Sequence, residues 1–265
     1  MGMSASSAEH ACAPVVVWHD VECGGYRSDL PLWRSLAARA ASRPGMLRAR
    51  TPTPCARVLD IGAGTGRVAL DLAQAGHDVL AFDLDPELLA TLRIRAGDLP
   101  VRCVAGDARR LALAERDFDL CLVPMQTVQL LGGAEGRASF LSAVARHLCP
   151  GGVLACAISE HLDAFDAGED GAAPAADWRR LQGALWISRP TAVRVQPRHA
   201  VLERRREVHL PDGSTRREDN TIVLDRLGGS ELARECRTAG LRPLRRRRIA
   251  PTSDHVGSTV VLARA

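Results

Sequence analysis

A glycine-rich turn near residue 60 is the strongest chemical signal in the chain. Gly62, Gly64 and Gly66 follow directly after Asp60, and glycine lets a backbone turn sharply and approach a ligand without Cβ collisions. The spacing is G-x-G-x-G, and Arg67 stands where a dinucleotide-binding turn has its third glycine. The carboxylate of Asp60 would repel a pyrophosphate but suits a ligand that carries an ammonium and a sulfonium. The turn therefore predicts a cofactor site and disfavours NAD; the alternative is only a tight strand-to-helix turn.

Two further acidic residues follow apolar runs of strand length. Asp83 lies 83 − 60 = 23 positions after Asp60, close to the roughly 20-residue separation expected of a ribose-binding carboxylate. Helix capping is the other role open to Asp83, but Asp85, directly before Pro86, suits that role better. Asp107 stands between Gly106 and Ala108 and can accept a hydrogen bond from an exocyclic amine. Its alternative is an ordinary Asx turn.

Strands and helices alternate between residues 55 and 158 and bring these side chains to one edge of a sheet. The alternation predicts an α/β fold, a Rossmann-like, doubly wound and mostly parallel sheet. Ligands bind such sheets at the carboxyl ends of the strands. The predicted strands are residues 57–61, 79–82, 101–104, 118–123 and 153–158, and the predicted helices cover residues 65–75, begin at 86, and cover 138–148.

The rest of the chain predicts a lid and a cap around this core. Residues 163–176 are rich in Ala, Gly and Asp and are typical of a loop, whereas residues 191–224 alternate as strands about an Asp212-Gly213 hairpin turn. A helix over 230–238 and strands over 241–249 and 258–263 follow. The expected units are an N-terminal tail and helical lid (1–50), the cofactor-binding core (51–160), a β-rich insertion after strand five (161–227), and a C-terminal helix and strands that complete the core (228–265).

Five segments of the core resemble, in order, the motifs of class I S-adenosylmethionine (SAM) methyltransferases of the bacterial small-molecule type. In that family the glycine turn holds the methionine part, the carboxylate after strand two binds the ribose hydroxyls, and the Asp after strand three contacts adenine. Residues 18–36 are similar, with less specificity, to the helix that lids the cofactor. The five segments are residues 60–66, 82–85, 106–108, 118–120 and 148–154.

The resemblance implies methyl transfer from SAM to an O, N or C atom of a small molecule such as a secondary metabolite, with S-adenosylhomocysteine (SAH) as product. A non-catalytic SAM-binding protein and an RNA methyltransferase stay open as alternatives, and an NAD-dependent oxidoreductase is more distant. The cofactor-binding residues that it implies are Asp60, Gly62, Ala63, Gly64, Gly66, Asp83, Leu84, Asp107, Ala108, Pro124 and, from the lid, Tyr26.

The segment after strand four bears on the substrate. Val123-Pro124-Met125-Gln126 offers no aromatic ring to stack a flipped base. It resembles instead the loop that lines the pocket beneath the sulfonium in small-molecule members. Gln126 is therefore a predicted substrate contact, with a surface role as the alternative. Cys121, inside a strand, is expected to pack rather than to attack a substrate.

Arginine clusters at 204–206 and 245–248 raise the question of nucleic-acid binding. The first cluster is flanked by Glu203 and Glu207, and the second lies in a predicted edge strand, where charge discourages aggregation. Aromatic residues make up only 3% of the chain, which leaves little for base stacking. These patterns disfavour a nucleic-acid partner.

Candidates for a general base lie at the end of strand five and in the lid. His161 is the first candidate because a pocket histidine has a pKa near working pH, and Glu160, His19 and Glu22 are the others. All four tryptophans lie in the lid and the insertion. We expect these two segments to cover the pocket, either burying a ligand or packing the cap onto the core. The predicted substrate contacts among the tryptophans are Trp18, Trp33 and Trp178.

Composition sets the remaining bounds. The 265 residues carry a formal net charge of +4 and include no apolar run of membrane-spanning length. The first 13 residues lack the layout of a signal peptide, so a cytoplasmic protein is expected. The eight cysteines are scattered and predict neither a disulfide framework nor a metal site. A monomer and a homodimer both remain open.

Overall fold

A computed structural model describes residues 13–43, 54–171, 174–252 and 255–265; the expected N-terminal tail lies almost wholly outside this part. The helices are α1 (Pro14–Glu22), α2 (Leu30–Ala41), α3 (Arg67–Gln74), α4 (Pro86–Ala96), α5 (Gly133–His147), α6 (Ala167–Asp170) and α7 (Gly229–Thr238). The strands are β1 (Arg57–Ile61), β2 (Asp78–Asp83), β3 (Val101–Ala105), β4 (Phe118–Val123), β5 (Leu148–Ile158), β6 (Phe165–Asp166), β7 (Asp177–Leu181), β8 (Ala184–Val195), β9 (His199–His209), β10 (Thr215–Asp225), β11 (Arg242–Pro243), β12 (Arg247–Ile249) and β13 (Ser258–Arg264).

The central sheet has the strand order β11-β13-β5-β4-β1-β2-β3, with β12 also paired to β13. Strands β1 to β5 are parallel, and β13 runs antiparallel to β5. Apolar side chains of α2, α3 and α4 bury one face, and those of α5 and α7 bury the other. This confirms the predicted Rossmann-like α/β fold. The strand order reverses between β1 and β4, which marks the switch point where such sheets bind ligands.

Two boundaries of the core differ from the expectation by five residues (148 against 153 and 133 against 138), and the others by at most two. Strand β5 begins at Leu148 rather than at residue 153, because the chain bulges at the Pro150-Gly151-Gly152 turn and pairs Leu148 with Phe118. Helix α5 begins at Gly133 rather than at residue 138. Its early start is stabilised from a distance, because the Asp225 carboxylate accepts the Gly133 backbone N–H at 2.7 Å.

Residues 165–225 form a second, antiparallel sheet with the order β10-β9-β8-β6 and β7 beside β8. The hairpin at Asp212-Gly213 joins β9 and β10, as predicted. Strand β7 and the first half of β8 were not predicted, because Pro190 suggests the end of a strand; the sheet accommodates Pro190 at a bulge. The expected loop over 163–176 contains β6 and α6, and the expected strand over 241–249 divides into β11 and β12.

Helix α1 joins the core to the second sheet. Trp18 packs edge-to-face on Trp186 of β8, with ring centroids 4.8 Å apart. Glu22 forms an ion pair with Arg206 of β9 at 2.7 Å, and Asp20 pairs with Arg95 of α4. The lid is therefore held by both layers. No helix among the described residues is long and apolar enough to cross a membrane.

Candidate functional site

A cavity of about 460 Å³ opens at the carboxyl ends of β1 to β4, at the switch point of the sheet. Most residues predicted from the motifs line it, because each lies at the carboxyl end of one of these parallel strands or just after it. Gly64 and Gly66 stand in the same turn but do not line the cavity. The predicted residues that line it are Asp60, Gly62, Ala63, Asp83, Leu84, Asp107, Ala108, Pro124 and Gln126.

The turn after β1 requires glycine at two positions. Gly62 and Gly64 have φ values of +71° and +54°, in the left-handed region that favours glycine. A Cβ on Gly62 would lie 2.6 Å from Thr127, and a Cβ on Gly64 would collide with the imidazole of His19. The turn is thus packed directly beneath the lid helix and the loop after β4.

Asp60 is a buried carboxylate without a partner. Its side chain is fully buried, and neither carboxylate oxygen has a partner with full hydrogen-bond geometry among the described residues, since the Ala69 backbone N–H interacts with it only weakly. Burial raises the pKa of Asp60 to about 7, against the opposing pull of the nearby Arg67 cation. A buried polar group without a partner is costly, so this position is built for a ligand cation.

Asp83 is held rigidly at the end of β2. Its Oδ2 accepts the Gly64 backbone N–H at 2.7 Å, and its Oδ1 accepts the Asp85 backbone N–H at 2.9 Å. Asp85 caps α4 by accepting the N–H of Glu87, as its place before a proline predicts. Each Asp83 oxygen keeps lone pairs that can accept vicinal hydroxyls of a ligand.

Asp107 and Leu84 form the side of the cavity at β2 and β3. The Arg109 guanidinium lies 2.7 Å from Asp107 and holds the pKa of that carboxyl below its usual range. Asp107 also accepts the Arg109 backbone N–H, as an Asx turn does. Leu84 is 70% exposed, which leaves an apolar surface beside two acidic side chains, as a heteroaromatic ring with an amino group requires.

The lid supplies His19 and Cys23 to the cavity, and α3 supplies Arg67. Burial lowers the pKa of His19, although Asp20 opposes the shift. Burial raises the pKa of the Cys23 thiol to about 11, so this thiol is protonated near neutral pH. Arg67 pairs with Asp29 and donates to the Tyr26 carbonyl oxygen at 3.0 Å. The base of the lid is thereby fixed to the glycine turn.

The loop after β4 is strained at the cavity. Met125 has a φ of +54°, which costs on the order of 1–3 kcal/mol for a residue with a side chain. Next to it, Gln126 donates from Nε2 to the Ser159 hydroxyl at 2.9 Å. The surrounding structure therefore holds a conformation that directs this loop into the cavity.

The cap contributes Leu202 of β9 and Ile222 and Leu224 of β10 to the cavity. Sequence reasoning did not single out these residues. The alternation of apolar and charged residues in both strands showed that one face is buried, but it did not show what that face covers. The same face explains the arginine cluster at 204–206: Arg204 and Arg206 turn inward to Glu22, and Arg205 turns outward to Asp219.

Besides Gly64 and Gly66, five predicted contacts do not line the cavity. His161 is exposed on a small separate cavity. Trp33 is fully buried in the helix layer and donates to Asp29 at 2.7 Å, which corrects its expected substrate contact to a packing role. Trp18 packs against the cap, and Trp178 is 66% exposed on β7. The Tyr26 ring packs on His255 and on the Arg67 guanidinium. It therefore contacts Arg67 without lining the cavity itself.

Comparisons with known proteins agree with the cofactor site that the geometry indicates. Residues 58–152 match the model of a methyltransferase domain. The chain is 25% identical to a SAM-bound amino pentose methyltransferase of Micromonospora echinaspora, with a TM-score of 0.67 over 94% of this chain and 97% of that one. Residues 58–152 are therefore similar to a methyltransferase domain, and the fold as a whole is similar to that of a SAM-bound methyltransferase.

The chain also resembles curated proteins over part of their length. It is 31% identical to the cypemycin N-terminal methyltransferase of a Streptomyces species, over 51% of this chain and 55% of that protein. It is 36% identical to a demethylmenaquinone methyltransferase of Beutenbergia cavernae, over 48% of this chain and 46% of that protein. The chain thus spans about half the length of these relatives. A sugar N-methyltransferase of a Streptoalloteichus species, 18% identical with a TM-score of 0.70 over 100% of this chain and 98% of that one, shares the fold.

The residues of the cavity fit SAM. Asp60 offers an unpartnered buried carboxylate to an ammonium, and Asp83 is fixed with free lone pairs. A Cβ at Gly62 or Gly64 would collide with Thr127 or His19, so only glycine allows the backbone of this turn to approach a ligand. An amino-acid group, a ribose and a base therefore each find a matching set of groups along β1, β2 and β3.

Proposed function

We propose that this chain transfers a methyl group from SAM to an O, N or C atom of a small molecule. Bound SAM supplies an activated methyl group on a positively charged sulfur. The observation that carries the proposal is Asp60, whose buried carboxylate lacks a partner beside the glycine turn. A purely structural domain would gain stability by replacing this group, because its burial is costly without a counter-charge.

The cofactor subsites follow the order of the strands. Asp60 and the turn residues Gly62, Ala63, Gly64 and Gly66 bind the methionine part. Asp83 binds both ribose hydroxyls. Leu84 and Ala108 would hold the adenine and Asp107 would accept from its amine, while Pro124 would line the cavity beside the sulfur.

Methyl transfer demands positioning more than acid–base chemistry. Holding an acceptor in line with the methyl group can contribute roughly 7–11 kcal/mol. The cavity does this with the strained loop at Met125 and with the cap above it. For an acceptor that must lose a proton, His19 replaces His161 as the candidate base, because His19 lines the cavity with its pKa lowered by burial.

The test compares two aspartates two residues apart. Asp83→Ala removes two charge-assisted hydrogen bonds to ribose, each worth on the order of 1.5–3 kcal/mol, so we expect SAH affinity to fall at least about tenfold by calorimetry. Asp85→Ala removes only the α4 cap and should lower stability by about 1 kcal/mol with SAH affinity unchanged.

NAD serves as the ligand control in the same experiment. SAH should stabilise the protein against heat and NAD should not, because the turn spacing and Asp60 oppose a pyrophosphate. Binding of NAD alone, or equal SAH affinity in both variants, would contradict the cofactor site. Formation of SAH with a methylated acceptor then separates an enzyme from a SAM-binding protein without turnover.

A further inference from the structure

Charge is distributed unevenly along the walls of the cavity. The side chains that the lid and the segments at and after the ends of β1 to β3 contribute include His19, Asp60, Arg67, Asp83, Asp107 and Arg109, which pairs with Asp107. The walls contributed by the loop after β4 and by the cap contain no charged side chain among the described residues that line the cavity. The charged half coincides with the cofactor subsites, which leaves the uncharged half for the acceptor.

The cap half is a continuous aliphatic wall. Ile222 of β10 and Leu202 of β9 are direct cross-strand partners, so their side chains lie side by side on one face. Leu224 follows on the same face, two residues along β10. Leu130, which is 53% exposed, and Met125 extend the wall on the side of β4.

Two polar side chains line this half of the cavity, Gln126 and Thr127. Gln126 donates from Nε2 to the Ser159 hydroxyl, and its Oε1 has no partner among the described residues. Ser159 is itself fixed, since its backbone N–H donates to Gln129 Oε1 at 2.8 Å. The Thr127 hydroxyl donates to the Pro124 carbonyl oxygen at 3.0 Å, so its oxygen can only accept from a ligand. The side chains of this wall therefore present hydrogen-bond acceptors, Gln126 Oε1 and the Thr127 oxygen.

We propose that this half of the cavity is an acceptor subsite for an uncharged, largely apolar molecule that presents one O–H or N–H to Gln126 Oε1. The inference rests on the proposed function and names its substrate class. A phosphate, carboxylate or ammonium would lose its water here without meeting an opposite charge. A polyhydroxylated sugar ring would leave most of its hydroxyls against aliphatic carbon, without partners.

Four small probes of similar size test this class on the full chain saturated with SAH. They are 4-ethylphenol, tyramine, 4-hydroxyphenylacetate and methyl glucoside; the first three share a phenol and differ in the charge at the other end. We expect ligand-observed NMR titrations to show 4-ethylphenol binding at least about tenfold more tightly than the others. Equal or tighter binding of any of the other three probes, or no binding of 4-ethylphenol, would overturn the proposal.

Neighbouring residues on β10 supply a matched pair of variants. Ile222→Glu places a carboxylate in the aliphatic wall and should weaken 4-ethylphenol binding at least tenfold while strengthening tyramine binding. Val223→Glu makes the same change on the opposite face of the strand, where Val223 is 52% exposed, and should change neither. Equal effects of the two variants would refute the subsite.

Two further variants, Ile222→Thr and Gln126→Leu, test the subsite independently of Ile222→Glu. If Ile222→Glu does not fold, Ile222→Thr keeps a β-branched residue and should still weaken 4-ethylphenol binding several-fold. Gln126→Leu should weaken 4-ethylphenol binding but leave ethylbenzene, which lacks the hydroxyl, unaffected. If the unmodified chain does not bind SAH, the proposed function itself is wrong. If the chain binds SAH but shows no preference for 4-ethylphenol, only the inference about the acceptor is wrong.

Discussion

When no ligand is bound, the buried carboxylate of Asp60 lowers the free energy of unfolding. Because burial raises its pKa to about 7 from an ordinary 3.8, the folded chain holds a proton there that the unfolded chain releases at lower pH. Stability therefore falls as pH rises from about 4 to about 7, and the loss is complete above that range. At 1.36 kcal/mol per pKa unit, the loss is on the order of 4 kcal/mol.

Asp60→Asn should abolish this loss. We expect the variant to match the unmodified protein near pH 4 and to exceed its stability at pH 8, measured by urea unfolding without ligand. SAH affinity at pH 8 should fall, because the amide cannot balance an ammonium. Stability curves that run parallel for the two proteins from pH 4 to pH 8 would show that Asp60 does not titrate in this range.

His19 is held in one tautomer by its neighbours. The Thr65 hydroxyl donates to the Asp20 carboxylate at 2.7 Å, so its oxygen can only accept from His19 Nδ1, which lies 3.3 Å away. The neutral ring then carries its proton on Nδ1 and leaves a lone pair on Nε2, beside Gly64. Burial lowers the pKa of His19, which keeps the ring neutral near pH 7.

Histidine-labelled protein should show this tautomer directly. Long-range proton–nitrogen NMR spectra at pH 7 should contain one Nδ1–H histidine whose signals disappear in His19→Gln. Thr65→Val removes the acceptor and should shift His19 toward the Nε2–H form, whereas Thr65→Ser should preserve the original spectrum. An imidazolium or an Nε2–H ring in the unmodified protein would contradict the arrangement.

The sequence revealed the residues of the glycine turn because their conformations are local. Gly62 and Gly64 are required by backbone φ values and by close contacts, and such requirements appear as residue types. The roles of Trp33 and His161 could not be predicted in this way. Burial within a helix layer and distance from a cavity depend on how separate segments pack.

At the scale of elements, Gln129 holds the cap to the core. It is almost fully buried, donates from Nε2 to the carbonyl oxygens of Ser159 (3.2 Å) and Asp225 (2.8 Å), and accepts the Ser159 N–H. These two residues are the points where the chain leaves the core and returns from the second sheet. Neither the start of α5 at Gly133 nor this junction was predictable from local sequence, because Asp225 reaches both from far along the chain.

Gln129→Met should loosen the cap. The substitution keeps the side-chain length but leaves buried backbone groups without partners, at about 1–3 kcal/mol each, so we expect unfolding free energy to fall by about 3 kcal/mol. Hydrogen exchange in β8 to β10 should accelerate relative to β1 and β4. Gln126→Met, which loses one hydrogen bond, is the control, and an equal effect of both variants would argue against the junction.

At the scale of the whole molecule, α1 couples the two sheets through Trp18, Glu22 and Asp20. All four tryptophans lie in the lid and the cap, so tryptophan fluorescence reports on these layers while far-ultraviolet circular dichroism includes the core. We expect both signals to change at the same urea concentration, as in a single cooperative transition. An earlier fluorescence transition would show that the cap unfolds separately.

Glu22→Gln tests the coupling. It leaves Arg206, and Arg204 beside it, without this counter-charge in a largely buried position, which costs on the order of 3 kcal/mol. Glu218→Gln, at a side chain that is 55% exposed, should change little. Both transitions should shift together in Glu22→Gln; a shift in fluorescence alone would place the ion pair outside the cooperative unit.

The junction at Gln129 also bears on how the residues between Ser159 and Asp225 could be replaced. Because the chain leaves at Ser159 and returns at Asp225 to the two carbonyl groups bound by one amide, the intervening stretch begins and ends at a single point of the core. The entropy of closing such a stretch grows only slowly with its length, by about 0.6 kcal/mol per doubling. Under the proposed function, replacement of this stretch as a single unit would change the choice of acceptor and leave the cofactor subsites unchanged.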